Sequence, residues 1–259
     1  MNTSLLSYSL HDYARLLKEW KALARKFGLK AKKIGSADGF PLWKFFSPTL
    51  GSSGGLYISA GIHGDEPAGC HGLLQWARLY AEKLAQLPVL IFPCLNPWGL
   101  VHNLRTNASG LDLNRAWASE EEPLIQFLHL ELTGMEFSLS LHLHEDFDAH
   151  GIYLYEPKLH RTRKSLANQV LEAAEGVIPR DPRVRIDRRK ATHGIIRPAL
   201  HRLPPDGLPE ALYLSKLGSG RGGNLTLETP SEWGFEHRID AHVRMVNRAV
   251  QLCFEPNAQ

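Results

Sequence analysis

Apolar runs of strand length, separated by stretches of helical periodicity, constrain the fold of this chain more than any other feature. Leu56-Tyr57-Ile58-Ser59-Ala60 and the segment from Val89 to Leu95 read as buried strands. Between them, after Pro67, Leu73, Ala77, Tyr80, Ala81 and Leu84 recur at helical spacing until Pro88. Pro67 suits the first helical turn, where a missing N–H costs nothing. Residues 31–36 and 41–47 read as a hairpin across Ser36-Ala37-Asp38-Gly39, behind an amphipathic helix at about 10–27. From Phe137 to His144 the pattern alternates strictly: Phe137, Leu139, Leu141 and Leu143 on one face, Ser138, Ser140, His142 and His144 on the other. Gly151 to Tyr155 and Leu225-Thr226-Leu227 read as further strands. Helices are expected from a Ser119/Glu122 capping box to about Leu132, over residues 160–176, and over about 235–254. Strands interleaved with helices predict a layered α/β fold on a mixed, largely parallel sheet. Without a repeat or a Pro/Ser-rich linker, residues 1–259 are expected to form one domain.

Bulk properties exclude several classes. A chain that is 43% hydrophobic and 22% charged has ample apolar content for a core and is no candidate for disorder. A net charge of +3 is too mild to argue for nucleic acid as a partner. Cys70, Cys94 and Cys253 are odd in number, far apart and without zinc-finger spacing, which favours a reducing compartment. The start MNTSLLSYSLHDYARLL lacks a basic n-region and a long apolar core, so neither signal peptide nor membrane span is expected. A cytoplasmic location follows as an expectation.

His63, His144 and Glu228 each fall at or just past the C-terminal end of an expected strand, the rim where clefts form in open α/β sheets. His63-Gly64-Asp65-Glu66 lets a histidine and a glutamate bend round one ion. Two imidazoles, a carboxylate and an open fourth position suit zinc, although such a motif is equally an ordinary helix-capping turn. For the third ligand His144 is favoured over His142, which shares its face, because His144 ends the strand. A zinc ion so held lowers the pKa of bound water towards about 7. Glu228 is then the candidate general base and acid, or else an edge glutamate facing water. Arg105 is a candidate for holding an oxyanion. Asn114 and Arg115 suit capture of a substrate carboxylate, and Asp112 suits orienting a histidine ligand. The bland reading of this cluster is a polar loop with surface ion pairs. Glu145 and Asp146 are expected to be solvated loop carboxylates.

These pieces, with Asn96-Pro97-Trp98-Gly99, resemble the zinc carboxypeptidase family, the carboxypeptidase A-like metallopeptidases, from about residue 53 to 230 and in family order. The most specific stretches are Gly61-Ile62-His63-Gly64-Asp65-Glu66 and Arg105 followed by Asp112-Leu113-Asn114-Arg115. The resemblance implies one zinc ion per chain on His63, Glu66 and His144. It also implies Arg105 at the oxyanion, Asn114 and Arg115 as carboxylate clamp, and Glu228 as general base. It implies an α/β/α sandwich on a mixed sheet of about eight strands. The family's mobile tyrosine has no clear counterpart; Tyr213 is a candidate, with spacing that looks short. Two small branches share the Gly-Asp-Glu-Pro-Ala-Gly wording: murein tripeptide amidases, and the succinylglutamate desuccinylase/aspartoacylase group. The second usually carries a β-rich region after its glutamate, whereas the residues after Glu228 read as helical, which tilts the reading to the peptidase side.

The expected function is zinc-dependent hydrolysis of an amide beside a residue with a free carboxylate. N-acyl amino acid deacylation and a non-catalytic zinc-binding role are the alternatives, and the expected partner is a peptide or acyl-amino-acid substrate. Gly218-x-Gly220-x-x-Gly223 precedes a strand, the wrong context for a dinucleotide fingerprint. Arg180, Arg183, Arg185, Arg188, Arg189, Lys190, Arg197 and Arg202 form a basic segment that reads as a solvated face, with part of it steering an acidic substrate.

Overall fold

Asp12 and Gly28 bracket the first helix. In the computed structural model, which describes residues 10–157, 164–198, 207–217 and 223–254, α1 spans Tyr13–Phe27. The Asp12 carboxylate accepts the N–H of Arg15 at 2.9 Å, and Gly28 closes the helix at φ 77°. The expected hairpin follows as β1 (Lys30–Ala37) and β2 (Phe40–Phe46). Then come β3 (Gly55–Ala60), α2 (Pro67–Leu79), α3 (Ala81–Leu84), β4 (Val89–Phe92) and α4 (Pro97–His102). A 3-10 turn at Leu113–Arg115 precedes α5 (Pro123–Leu132), β5 (Phe137–Asp146) and β6 (Tyr153–Tyr155). The chain continues through α6 (Ala167–Glu172), β7 (Arg185–Ile186), β8 (Arg189–Thr192) and β9 (Ile195–Ile196). It ends in α7 (Glu210–Leu217), β10 (Gly223–Pro230) and α8 (Phe235–Phe254).

Among the described residues the sheet has ten strands rather than about eight, in the order β1-β2-β4-β3-β5-β10-β6-β9-β8-β7. Its centre, β4-β3-β5-β10, is parallel, and antiparallel pairings lie towards both margins. The short strands β7, β8 and β9 account for the excess; at two to four residues each they carry no readable alternation. Helices α1, α2 and α8 cover one face, where Trp20, Leu73, Trp76 and Val246 meet Ile58, Leu139, Leu141 and Leu227. Helices α5 and α7 cover the other, where Leu124, Leu128 and Leu212 meet Tyr57, Leu90 and Phe92. Each fully buried large side chain in these layers contributes about 1.5–3 kcal/mol by leaving water. The result is the expected α/β/α sandwich.

Three local expectations are corrected. Phe137 does not share a face with Leu139: Gly55 pairs with Phe137 but Leu56 with Leu139, and this irregularity turns Phe137 towards Tyr57, ring centroids 5.4 Å apart. Ser119 does not open α5; its hydroxyl accepts the N–H groups of Glu121 and Glu122, and Glu122 itself caps the helix through Leu124. The helix expected over 160–176 is confined to α6 among the described residues, which exclude 160–163. The Gly218–Gly223 reading and Arg202 fall largely outside the described residues. No helix among those described is long and apolar enough to cross a membrane.

The topology sets the position of the cleft. The chain leaving β3 crosses to β4 on one side, whereas the chain leaving β5 runs to β6 on the other, so a crevice opens beyond their carboxyl ends. His63 follows β3 and His144 lies near the end of β5.

Candidate metal centre

His63 reaches its place on a loop held by backbone contact. Gly61 takes φ 63°, and a Cβ on Gly64 would sit 1.8 Å from the carbonyl carbon of Gly99. Only a residue without a side chain lets these two loops touch. The Asn96-Pro97-Trp98-Gly99 segment is therefore a support: Asn96 Oδ1 accepts the N–H of Gly99 at 2.9 Å, and its Nδ2 donates to the Thr106 carbonyl at 3.1 Å. The N–H of Gly64 donates to the Leu104 carbonyl at 3.0 Å, joining the His63 loop to the one that carries Arg105.

Glu66 precedes Pro67, which opens α2, but its carboxylate does not cap that helix. It lies between two imidazoles instead, with His63 Nδ1 at 2.6 Å from Oε1 and His144 Nδ1 at 2.9 Å from Oε2. The capping role passes to Glu145, which accepts the N–H of Ala68 at 2.6 Å and pairs with Arg238 of α8. Glu145 is thus buried, not solvated as its polar neighbours suggested, and its own N–H donates to Glu66 at 3.1 Å. Burial pushes the Glu145 carboxyl up to about 7 against the pull of Arg238.

His63, Glu66 and His144 each offer one ligand atom, and these atoms lie within 4.8 Å of one another. The set fits a metal ion on its chemistry. Two ring nitrogens and one carboxylate converge, and His63 Nε2 lies 3.1 Å from Asp112, which fixes the tautomer that leaves Nδ1 free to bind. Burial disfavours charge on Glu66, yet His63 and His144 hold its carboxyl far below the usual range. For His63, burial works against protonation but Glu66 and Asp112 outweigh it; for His144, burial prevails and lowers the pKa.

Asp112 accepts from Arg105 at 3.1 and 3.0 Å, and Arg105 stands 3.5 Å from Glu66. The Asn114 amide is oriented by the N–H of Glu210, 3.0 Å from Oδ1, which leaves its Nδ2 as the donor for another group. Glu228 stands beside His144 in the parallel β5/β10 ladder and beside Tyr153 in the antiparallel β10/β6 ladder. One row further back, His142, Thr226 and Tyr155 repeat the pattern, so six side chains form one wall by register alone. Glu228 is buried, and desolvation reinforced by Glu66 and Asp146 raises its pKa well above the ordinary value.

All of these groups except Asp112 line one cavity of about 660 Å³: His63, Glu66, Arg105, Asn114, Arg115, His144 and Glu228. His142 also lines the cavity, but its Nδ1 is turned into a polar cluster, 3.3 Å from Glu210 and 3.2 Å from Ser59, with the Tyr57 hydroxyl 2.5 Å from Glu210. Tyr213 is not in the cavity; its ring stacks on His129 at 4.4 Å and packs against Trp117. The cavity tyrosines are Tyr153 and Tyr155, which the Tyr-x-Tyr alternation of β6 could have revealed once paired with Glu228. The expected basic face is divided: Arg183 pairs with Asp181, Arg180 with Glu175 and Arg197 with Glu156, while Arg188 and Arg189 line the cavity.

Residues 53–154 match the succinylglutamate desuccinylase/aspartoacylase catalytic domain. Murein peptide amidase A of Escherichia coli K12 is 40% identical over 77 residues, which are 30% of this chain and 31% of that protein. A Shewanella amazonensis protein assigned to the metallopeptidases superposes with a TM-score of 0.81 at 23% identity, over 94% of both chains. A metallo-carboxypeptidase from Burkholderia cenocepacia gives 0.71 at 18% identity, over 95% of this chain and 70% of that one. The structural likenesses establish the fold, and together with the local sequence matches they bear out the resemblance to the zinc carboxypeptidase-like proteins.

Proposed function

We propose that this chain, with the fold and local sequence of the zinc carboxypeptidase-like proteins, is a zinc-dependent peptidase or amidase. It cleaves an amide beside a residue that bears a free carboxylate, with residues 1–259 acting as one catalytic domain. The observation that carries this reading is the buried His63–Glu66–His144 triangle opening on the same cavity as Arg105, Arg115 and Glu228. Zinc on that triangle would supply an acidified water and polarise the scissile carbonyl. Every other part is performed by the chain. Asn114 and Arg115 hold the substrate carboxylate and so set the amide against the metal edge of the cavity. Arg105, fixed by Asp112, donates to the oxygen on which charge develops. Glu228 takes the proton of the attacking water and returns it to the leaving amine; its raised pKa suits both halves of that transfer. The buried thiols Cys70 and Cys94 remain free, in keeping with a reducing, cytoplasmic setting.

N-acyl amino acid deacylation is the second reading, favoured by the match of residues 53–154 to a deacylase domain. Hydrolysis of a panel by mass spectrometry, with zinc-loaded and chelated protein, decides between them. The panel holds short peptides, γ-glutamyl–diaminopimelate peptides and N-acyl amino acids. Zinc-dependent release of a carboxylate-bearing residue from a peptide is the expected result. Cleavage of the N-acyl compounds alone would move the chain to the deacylases, and silence at stoichiometric zinc would leave the zinc-binding role.

A further inference from the structure

The β7–β8 hairpin turns over the cavity through Asp187 and Arg188, both left-handed at φ 49° and 59°. Two-residue hairpin turns of this hand normally carry asparagine, aspartate or glycine, so Asp187 fits its position whereas the long side chain of Arg188 is strained there. The turn is nevertheless built and pinned: the Tyr155 hydroxyl, on the cavity wall, donates to Asp187. It delivers Arg188 and Arg189 to the cavity lining. The nearby carboxylates are already engaged, Asp187 by Tyr155 and Asp146 by Tyr153 at 3.0 Å and Arg183 at 3.6 Å. Neither Arg188 nor Arg189 has a carboxylate within ion-pair distance among the described residues, whereas Arg180, Arg183 and Arg197 each do. Strain spent on presenting cations to a cleft is a feature of ligand-binding positions.

We propose that this hairpin tip is a second anion-binding arm, in which Arg188 and Arg189 receive a second carboxylate of the substrate, beside the one held by Asn114 and Arg115. The inference rests on the proposed hydrolysis and narrows its substrate class to peptides or amides with at least two carboxylates.

The test compares Ala-Glu-Ala with Ala-Gln-Ala and Ala-Ala-Glu with Ala-Ala-Gln on the zinc-loaded protein, placing the second carboxylate on either side of the scissile bond. The glutamate peptide is expected to be preferred in one pair, through KM, and Arg188→Gln with Arg189→Gln to cut that preference about tenfold or more. The glutamine peptides, which lack the second carboxylate, are expected to lose less to the same substitutions than the glutamate peptides. Arg185→Gln with Lys190→Gln removes equal charge from the same hairpin outside the cavity lining and is expected to leave the preference intact. No preference in either pair, or an equal loss in this control, overturns the arm. Calorimetric binding of the same peptides to zinc-loaded Glu228→Gln protein separates the two proposals. A glutamate preference in binding without any wild-type hydrolysis keeps the arm and removes the hydrolase, whereas equal binding of each pair removes the arm.

Discussion

In the proposed hydrolysis Glu228 carries the heaviest demand of any single side chain, because it lies in a buried wall and would have to exchange protons there. Glu228→Gln is expected to lower kcat by about 10²–10⁴ while zinc remains bound at one per chain. Retained turnover would remove the residue from the chemistry. Its raised pKa also has a stability consequence. A carboxyl whose folded pKa exceeds its unfolded value, about 4.3, costs the folded state stability as pH rises through that interval. Metal-free Glu228→Gln protein is therefore expected to melt above metal-free wild type at pH 8 and level with it at pH 3.5; equal melting at both would contradict the burial argument. Asp112 acts through its neighbours, and Asp112→Asn is expected to weaken zinc binding about 10–100-fold in chelator competition. The place of His144 beside His63 and Glu66 was suggested by the alternation along β5 and its nearness to the C-terminal rim, both local patterns, although β5 runs two residues further than the alternation indicated. Glu145 was not legible. Its partner Arg238 lies 93 residues away, and nothing in the polar neighbourhood of Glu145 foretells that α8 will cover it.

At the scale of elements, the metal centre depends on contacts between loops rather than on any one motif. The His63 loop touches the Asn96–Gly99 turn through Gly64, so Gly64→Ala forces the two backbones apart. That variant is expected to lose both thermal stability and zinc affinity, read by calorimetry; an unchanged zinc affinity would separate the loop contact from the metal site. The pair between Glu145 and Arg238 joins α8 to the start of α2. Removing one partner leaves a buried charge uncompensated, so Arg238→Ala is expected to cost about 3–5 kcal/mol in urea unfolding at pH 8. The long elements were readable because their periodicity repeats. The strands β7, β8 and β9 were not, since two to four residues do not establish a period and their pairing is tertiary. The extra residue, Ser138, beside Phe137 escaped for the same reason: a register shift is a property of two strands, and only one is visible at a time in sequence.

At the scale of the molecule, the ten strands of the described residues place His63, His144 and Glu228 on one rim and extend the sheet beyond β6 to a hairpin that closes the far side of the cavity. A site assembled from three strands and two loops exists only in the folded chain, so the proposed zinc binding is linked to folding. Free zinc at 100-fold above its Kd is expected to raise the folding free energy by about 2.7 kcal/mol, with the gain abolished by chelation. The measurement that bears most directly on the central claim is a calorimetric zinc titration of wild type, His144→Ala and His142→Gln. One equivalent in wild type, at least a hundredfold weaker binding in His144→Ala and near-normal binding in His142→Gln is the predicted result. Zinc retained by His144→Ala, lost from His142→Gln, or absent from wild type would contradict the metal centre described above.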